Sequence, residues 1–260
     1  ELRRAWVGAA VWAILLTGLL CGLIAGAIPA FLESRTAVEN MLKSFPPAFA
    51  AAFGLYMDNL FSFGGFYAFG FLYYVLFGAI MASGIGLDLF SREKREKCMD
   101  FLLTKPRGRS RLFSEKLLAS LTMIVASNIV FISASLALYL AYAPEPLMTG
   151  RALLAASSLL WMELLFFAVG TCIAVFAKRV RSVSGLSTAI GIGGFLLSAL
   201  QSMLEEEKLN FINPFKYFDA AKAFFDGAFE LKYALTGTAI TIALMAAAYV
   251  RYTRADIPSL

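Results

Sequence analysis

The chain contains no histidine. That absence takes away the commonest general base and a frequent metal ligand. Cysteine is scarce too: Cys21 and Cys172 fall in apolar runs and Cys98 in a charged loop, so neither a disulfide framework nor a Cys/His metal site is implied. Charged residues make up 16% of the chain, against about 25% in soluble domains. No G-x-x-x-x-G-K-[ST] stretch occurs, and no Gly is followed by Lys, so the chain has no phosphate loop of that kind. The glycines of "GIGG", Gly191, Gly193 and Gly194, lie in an apolar run without a strand–turn–helix context and read as close helix packing. An intramembrane enzyme would gather several polar catalytic groups at one depth, and no such set is visible.

Apolar surface is abundant instead. Hydrophobic residues make up 60% of the sequence and the mean hydropathy is +0.73, more than a water-soluble fold of this length can hide. The expectation is an all-α integral membrane protein with one transmembrane domain over residues 1–260. A helix needs roughly 20 apolar residues to cross about 30 Å of hydrocarbon. Six segments meet that length or come close: 6–31, 63–90, 117–143, 153–176, 183–204 and 233–252. A closed barrel would show short alternating segments instead. The first run is too long for a signal peptide and has no convincing cleavage site before Pro29, so it reads as a retained span.

Basic residues orient the spans. With both termini cytoplasmic, sixteen of the 23 Lys and Arg fall inside, nine of them between Arg92 and Lys116. The acidic run Glu205, Glu206, Glu207 falls outside. The net charge of +5 then reflects inner loops facing anionic lipid and calls for no nucleic acid.

The densest charge lies in SREKREKCMDFLLTKPRGRSRLF, residues 91–113. Ser91 reads as a helix cap, Glu93 as a first-turn acid, and Glu93 with Lys97 as an i,i+4 pair. Cys98, Met99, Phe101 and Leu102 form an apolar side on a charged rod, and Pro106 stops it. Such a helix can simply lie in lipid headgroups. The longer stretch EKREKCMDFLLTKPRGRSRLFSEKLLAS, however, resembles the inner loop of ABC-2 type permeases, the membrane subunits of ATP-binding cassette exporters. The matching residues are Glu93 to Lys97, Asp100 to Leu103, Pro106, Arg109 to Arg111 and Lys116 to Leu118, with Cys98 standing where the family usually has Gly. NPFKYFDA, Asn213 to Ala220, is similar to the segment those permeases carry between spans five and six.

The resemblance implies a mechanical role. The loop 91–110 would hold a cytoplasmic coupling helix between spans two and three, docked on a separate ATPase subunit present in two copies. Met99, Phe101 and Leu102 would seat in its cleft, with Arg92, Lys94, Arg95 and Arg107 around the rim. ATP and Mg would belong to that partner, with no cofactor in this chain, and a second copy of the permease is expected. The segment 201–232 would form re-entrant outer helices. The first outer loop, residues 33–62, reads as an amphipathic stretch on the outer leaflet.

Three further features invite roles. Gly18, Gly22 and Gly26 recur at the spacing of close helix packing, with a neighbouring span of the same chain favoured over a second copy. Gly185, Ala189 and Gly193 form another small strip. The second span is rich in aromatics; lipid contact accounts for most of them and an interfacial belt for Tyr67, while Phe66, Phe69 and Tyr73 are candidates for a substrate path. Glu163, in LLWMELLFF, is the one ionisable group at mid-span, and such a group should face protein or water. Tyr73, Tyr74, Ser127 and Asn128 are its candidate partners.

The function expected is the permease subunit of an ATP-driven exporter in the cell membrane of a bacterium, moving an amphipathic or hydrophobic cargo such as an antimicrobial or cytolytic peptide or a drug. The alternative is a secondary transporter driven by an ion gradient through Glu163. Six spans without an evident inverted repeat argue against it.

Overall fold

The computed structural model describes residues 2–27, 29, 33–46, 61–96, 108–142, 148–204 and 207–254. Helices dominate, as they must where no water is present to satisfy backbone groups. Helix α1 (Leu2–Cys21) continues as a π-helical stretch, Gly22–Ala27. A short helix α2 (Arg35–Lys43) follows, held on its polar side by an Arg35–Glu39 ion pair at 2.8 Å. Then come α3 (Phe63–Glu96), α4 (Arg109–Tyr142), α5 (Thr149–Phe176) and α6 (Val183–Leu204). Two 3-10 turns (Glu207–Phe211 and Pro214–Lys216) and a short α7 (Ala220–Phe225) lead to α8 (Leu231–Arg254). Six of these helices, α1, α3, α4, α5, α6 and α8, are long and apolar enough to cross a membrane.

The spans fall where the apolar runs place them, but α3 does not end where expected. No new helix starts at Ser91. Instead α3 runs unbroken to Glu96, and Ser91 is buried with its hydroxyl donating to Leu87 O at 2.6 Å. A serine inside a helix satisfies itself by bonding back to the preceding turn, so it gives no reliable sign of a helix start. At 34 residues and ~1.5 Å per residue, α3 is about 50 Å long and outruns the hydrocarbon layer, carrying residues 92–96 past the apolar zone.

The core is built on α3 against α5. Their backbones nearly touch where Gly170 faces Ser83: a Cβ on Gly170 would lie 2.3 Å from Ser83 O. Gly86 meets Phe167 O and Thr171 of α5 in the same crossing. Without a hydrophobic drive between helices in lipid, such close contact is what holds spans together. Helix α6 joins through Gly191, which packs on Ile80, and Gly194, which packs on Phe166; Gly193 of the same "GIGG" faces open space.

The glycine strip of α1 faces the other way. A Cβ on Gly18, Gly22 or Gly26 would meet nothing within 4 Å, so these residues do not pack on a neighbouring span among the described residues. Leu16, Leu20 and Ile24 are buried instead, and α1 docks through that ridge. The second small strip is open as well, with Ala189 and Gly193 both exposed.

The aromatics of α3 are also corrected. Phe66, Tyr67, Phe71 and Tyr74 are buried inside the bundle, so lipid contact does not account for most of this cluster. Tyr67 is no belt residue, as its hydroxyl lies 3.4 Å from Ser135 Oγ of α4. Tyr67, Phe71 and Tyr74 share a helix face at i, i+4 and i+7, and that face turns toward Phe131. Lipid-type contact is left to residues such as Ile129, Leu140, Leu196, Leu200 and Ile242, all exposed on the outside of the bundle.

Candidate coupling site at the basic end of the bundle

One end of the bundle gathers the tips of α3, α4 and α8 with the last turn of α5. Glu93 of α3 and Lys116 of α4 form an ion pair there, with side chains each 8% exposed. Lys116 Nζ also donates to Leu89 O at 2.8 Å and lies over the rings of Phe90 and Tyr252 at 5.7 and 5.8 Å. Phe113 completes the knot, with ring centroids 5.0 Å from Phe90, 5.3 Å from Tyr249 and 5.4 Å from Tyr252. Ser110 Oγ and Tyr249 OH are 3.0 Å apart. Two helices flanking residues 97–107 are thus fastened to each other and to α8.

Lys94 makes a second tie. Its ammonium donates to the carbonyls of Val175, Ala174 and Ala177 at 2.8, 3.1 and 3.2 Å. The last carbonyls of a helix have no partners within it and carry the negative end of its dipole. A lysine reaching them from α3 closes α5 at its end. Asp88, one turn below, holds Arg92 at 2.5 Å and also pairs with Arg95.

The expected rim residues therefore divide. Arg92, Lys94 and Arg95 each bond within the chain, while Met99, Phe101, Leu102 and Arg107 lie outside the described residues. Lys97, the anticipated partner of Glu93, lies outside the described residues, and the ion pair seen for Glu93 is with Lys116. The sequence held one signal for it: an acid stands near the end of α3 and a base near the start of α4, on either side of the loop that joins them.

The interior polar site is built on α5. Glu163 is 1% exposed, and its Oε2 accepts a 2.5 Å hydrogen bond from Asn128 Nδ2 of α4. The same amide group donates to Ile124 O at 2.9 Å. Glycine at position 78 makes room for the carboxylate, since a Cβ there would lie 2.9 Å from Glu163 Oε1. Asn128 Oδ1 and Glu163 Oε1 are buried without a hydrogen-bond partner among the described residues. Of the partners anticipated, Asn128 is the one bonded. Phe66, Phe69 and Tyr73 form their own chain of ring contacts along α3, at 6.0 and 5.5 Å; Phe66 is buried and the other two are half-buried.

This geometry yields a direct test. Glu163→Gln keeps an acceptor for Asn128 Nδ2 at nearly the same size, so its melting temperature should stay near wild type. Glu163→Leu strips Asn128 of its partner and should cost about 1–3 kcal/mol, read as an earlier thermal transition in detergent.

At the opposite end, the segment before α8 is packed, not loose. Asn213 Nδ2 donates to Gln201 Oε1 at 2.9 Å and Ser198 Oγ at 3.2 Å, tying this segment to α6. Tyr217 OH donates to Phe211 O at 2.6 Å, and burial pushes its phenol above the ordinary range. Phe218 stacks on Trp161 of α5 at 5.6 Å.

Six apolar spans around a tight glycine crossing, with charge concentrated at their ends, define a multi-pass membrane protein. Residues 3–257 match the family model of the ABC-2 family transporter proteins, and the chain belongs to that family. It is accordingly the transmembrane component of an ABC transporter, and the family implies association with an ABC ATPase subunit. No curated protein and no solved structure matches the chain.

Proposed function

We propose that the chain is the permease subunit of an ATP-driven exporter, moving an amphipathic or hydrophobic cargo outward. Its knotted end is cytoplasmic, both termini lie on that side, and the loop 91–110 carries the coupling contact that docks on the ATPase. ATP and Mg reside on that partner. The assembly holds two permease copies and two ATPase copies, and the uncovered glycine strip of α1 is available for contact between permeases. The segment between α6 and α8 re-enters the outer leaflet and closes the path there.

The observation that carries this reading is the Glu93–Lys116 tie. A loop that only anchored in headgroups would have no need of a buried, multiply bonded brace between its two arms. A loop that is pushed by a motor does, because a compliant base would absorb the stroke. Burying such a pair is costly unless its geometry and extra hydrogen bonds repay the desolvation, and Leu89 O and the two rings supply that here.

The test is co-reconstitution with the ATPase chain in vesicles. Phe101→Asp, which places a charge on the expected apolar ridge, should abolish most of the permease-dependent ATPase stimulation, since interfaces concentrate their energy in a few buried anchors. Normal stimulation by a correctly folded variant would remove the docking role. Uptake by ATP-free vesicles under an ion gradient, lost in Glu163→Gln, would favour the ion-coupled alternative.

A further inference from the structure

A cavity of about 810 Å³ opens between α1, α3 and α6 near the basic end. Its two halves differ in chemistry. Trp12, Phe77, Ile80 and Ile85 make an apolar wall. Arg92, Arg95, Arg181 and Asp88 make the other side, with Ser182 and Ser184 beside them. Asp88 is already shared between Arg92 and Arg95, and Arg181 makes no ion pair among the described residues. Three guanidiniums thus face one carboxylate. The start of α6 adds partial positive charge, with Ser182 Oγ accepting the Gly185 N–H at 3.1 Å.

We propose that this cavity binds an acidic phospholipid, with the headgroup phosphate among Arg92, Arg95 and Arg181 and an acyl chain along the Trp12–Ile80 wall. The chemistry selects that occupant. Guanidinium groups favour phosphate through paired, charge-assisted hydrogen bonds, and the excess of positive charge calls for an anion. The cavity volume is within the range of roughly 300–1,000 Å³ typical of small-ligand sites. The apolar half belongs to the spans themselves, so the ligand must reach it from within the membrane, which a soluble anion does not do. Asp88 marks the level at which α3 passes from apolar to charged residues, the depth of a lipid phosphate.

Native mass spectrometry of the full chain in detergent, titrated with phosphatidylglycerol or with phosphatidylcholine of the same acyl chains, tests the site. Wild type should retain phosphatidylglycerol preferentially. Arg181→Gln, at an exposed position that leaves the Asp88 pairs intact, should weaken retention about tenfold, as losing one charged hydrogen-bonding group does. Thr188→Trp, an exposed residue at the cavity, should block the acyl groove and reduce retention without touching any arginine. Equal retention of both lipids, or of phosphatidylglycerol by both variants and wild type, would overturn the proposal. Displacement of the lipid by millimolar inorganic phosphate would also overturn it, by showing a site for the free anion.

Discussion

A Lys116→Met variant should lose about 3–5 kcal/mol of stability, the cost of leaving one member of a buried ion pair alone. Glu93 would remain 6% exposed with its cationic partner gone and a carboxylate poorly matched to its surroundings. The double variant Glu93→Leu/Lys116→Met should recover most of the loss, because a well-packed apolar pair of similar volume is often as stable as the ions it replaces. Thermal unfolding in detergent across the double-mutant cycle reads both effects. If the two single losses simply add in the double variant, the pair is not coupled and the brace is not one. ATPase stimulation separates stability from function. The double variant should fold yet transmit less, since side-chain contacts replace a bond that also reached Leu89 O.

Gly170→Val should be the most damaging substitution of a small residue. Its Cβ would lie 2.3 Å from Ser83 O and 2.8 Å from Ser83 Cα. These are backbone atoms, so no rotamer change relieves the clash, and α3 and α5 must separate. The cost should reach about 3 kcal/mol or more, the upper end for overpacking, and monodisperse protein should largely disappear from size-exclusion profiles. Gly18→Ala in α1 is the matched control. It adds a methyl group where nothing lies within 4 Å and should leave the elution profile of the isolated chain unchanged.

These two glycines illustrate how much of the fold was legible. Span number and placement followed from apolar length, because hydrocarbon thickness sets that length whatever the neighbours do. The sixth helix, Val183–Leu204, matches the expected range residue for residue. Which face of a helix meets a neighbour was less legible. Gly18, Gly22 and Gly26 have the right spacing for close packing, yet Leu16, Leu20 and Ile24 took the interface; spacing defines a stripe, and only the partner's surface decides between stripes. Gly170 stands in no glycine repeat, yet among the described glycines it makes the closest approach to another helix's backbone.

The site was partly readable for the same reason. Burial of Glu163 followed from the expense of an ionisable group in the span, while four side chains stood as possible partners and only the packing of α4 on α5 selected Asn128. The Lys116 brace was missed because a local partner for Glu93 stood at hand four residues on. Helical i,i+4 pairs at the surface contribute only a few tenths of a kcal/mol, whereas tertiary packing drew Glu93 into a buried contact. Lys94 was expected at the rim of the docking surface, and the structure places its ammonium on the end of α5.

That lysine has a mechanical consequence. With its ammonium holding the final carbonyls of α5, the tip of α3 is geared to the fourth span as well as the third. Twisting or tilting that tip must carry α5 along or break three bonds at once. Since α5 also holds Glu163, any displacement of that tip is routed to the polar centre of the bundle through a rigid shaft.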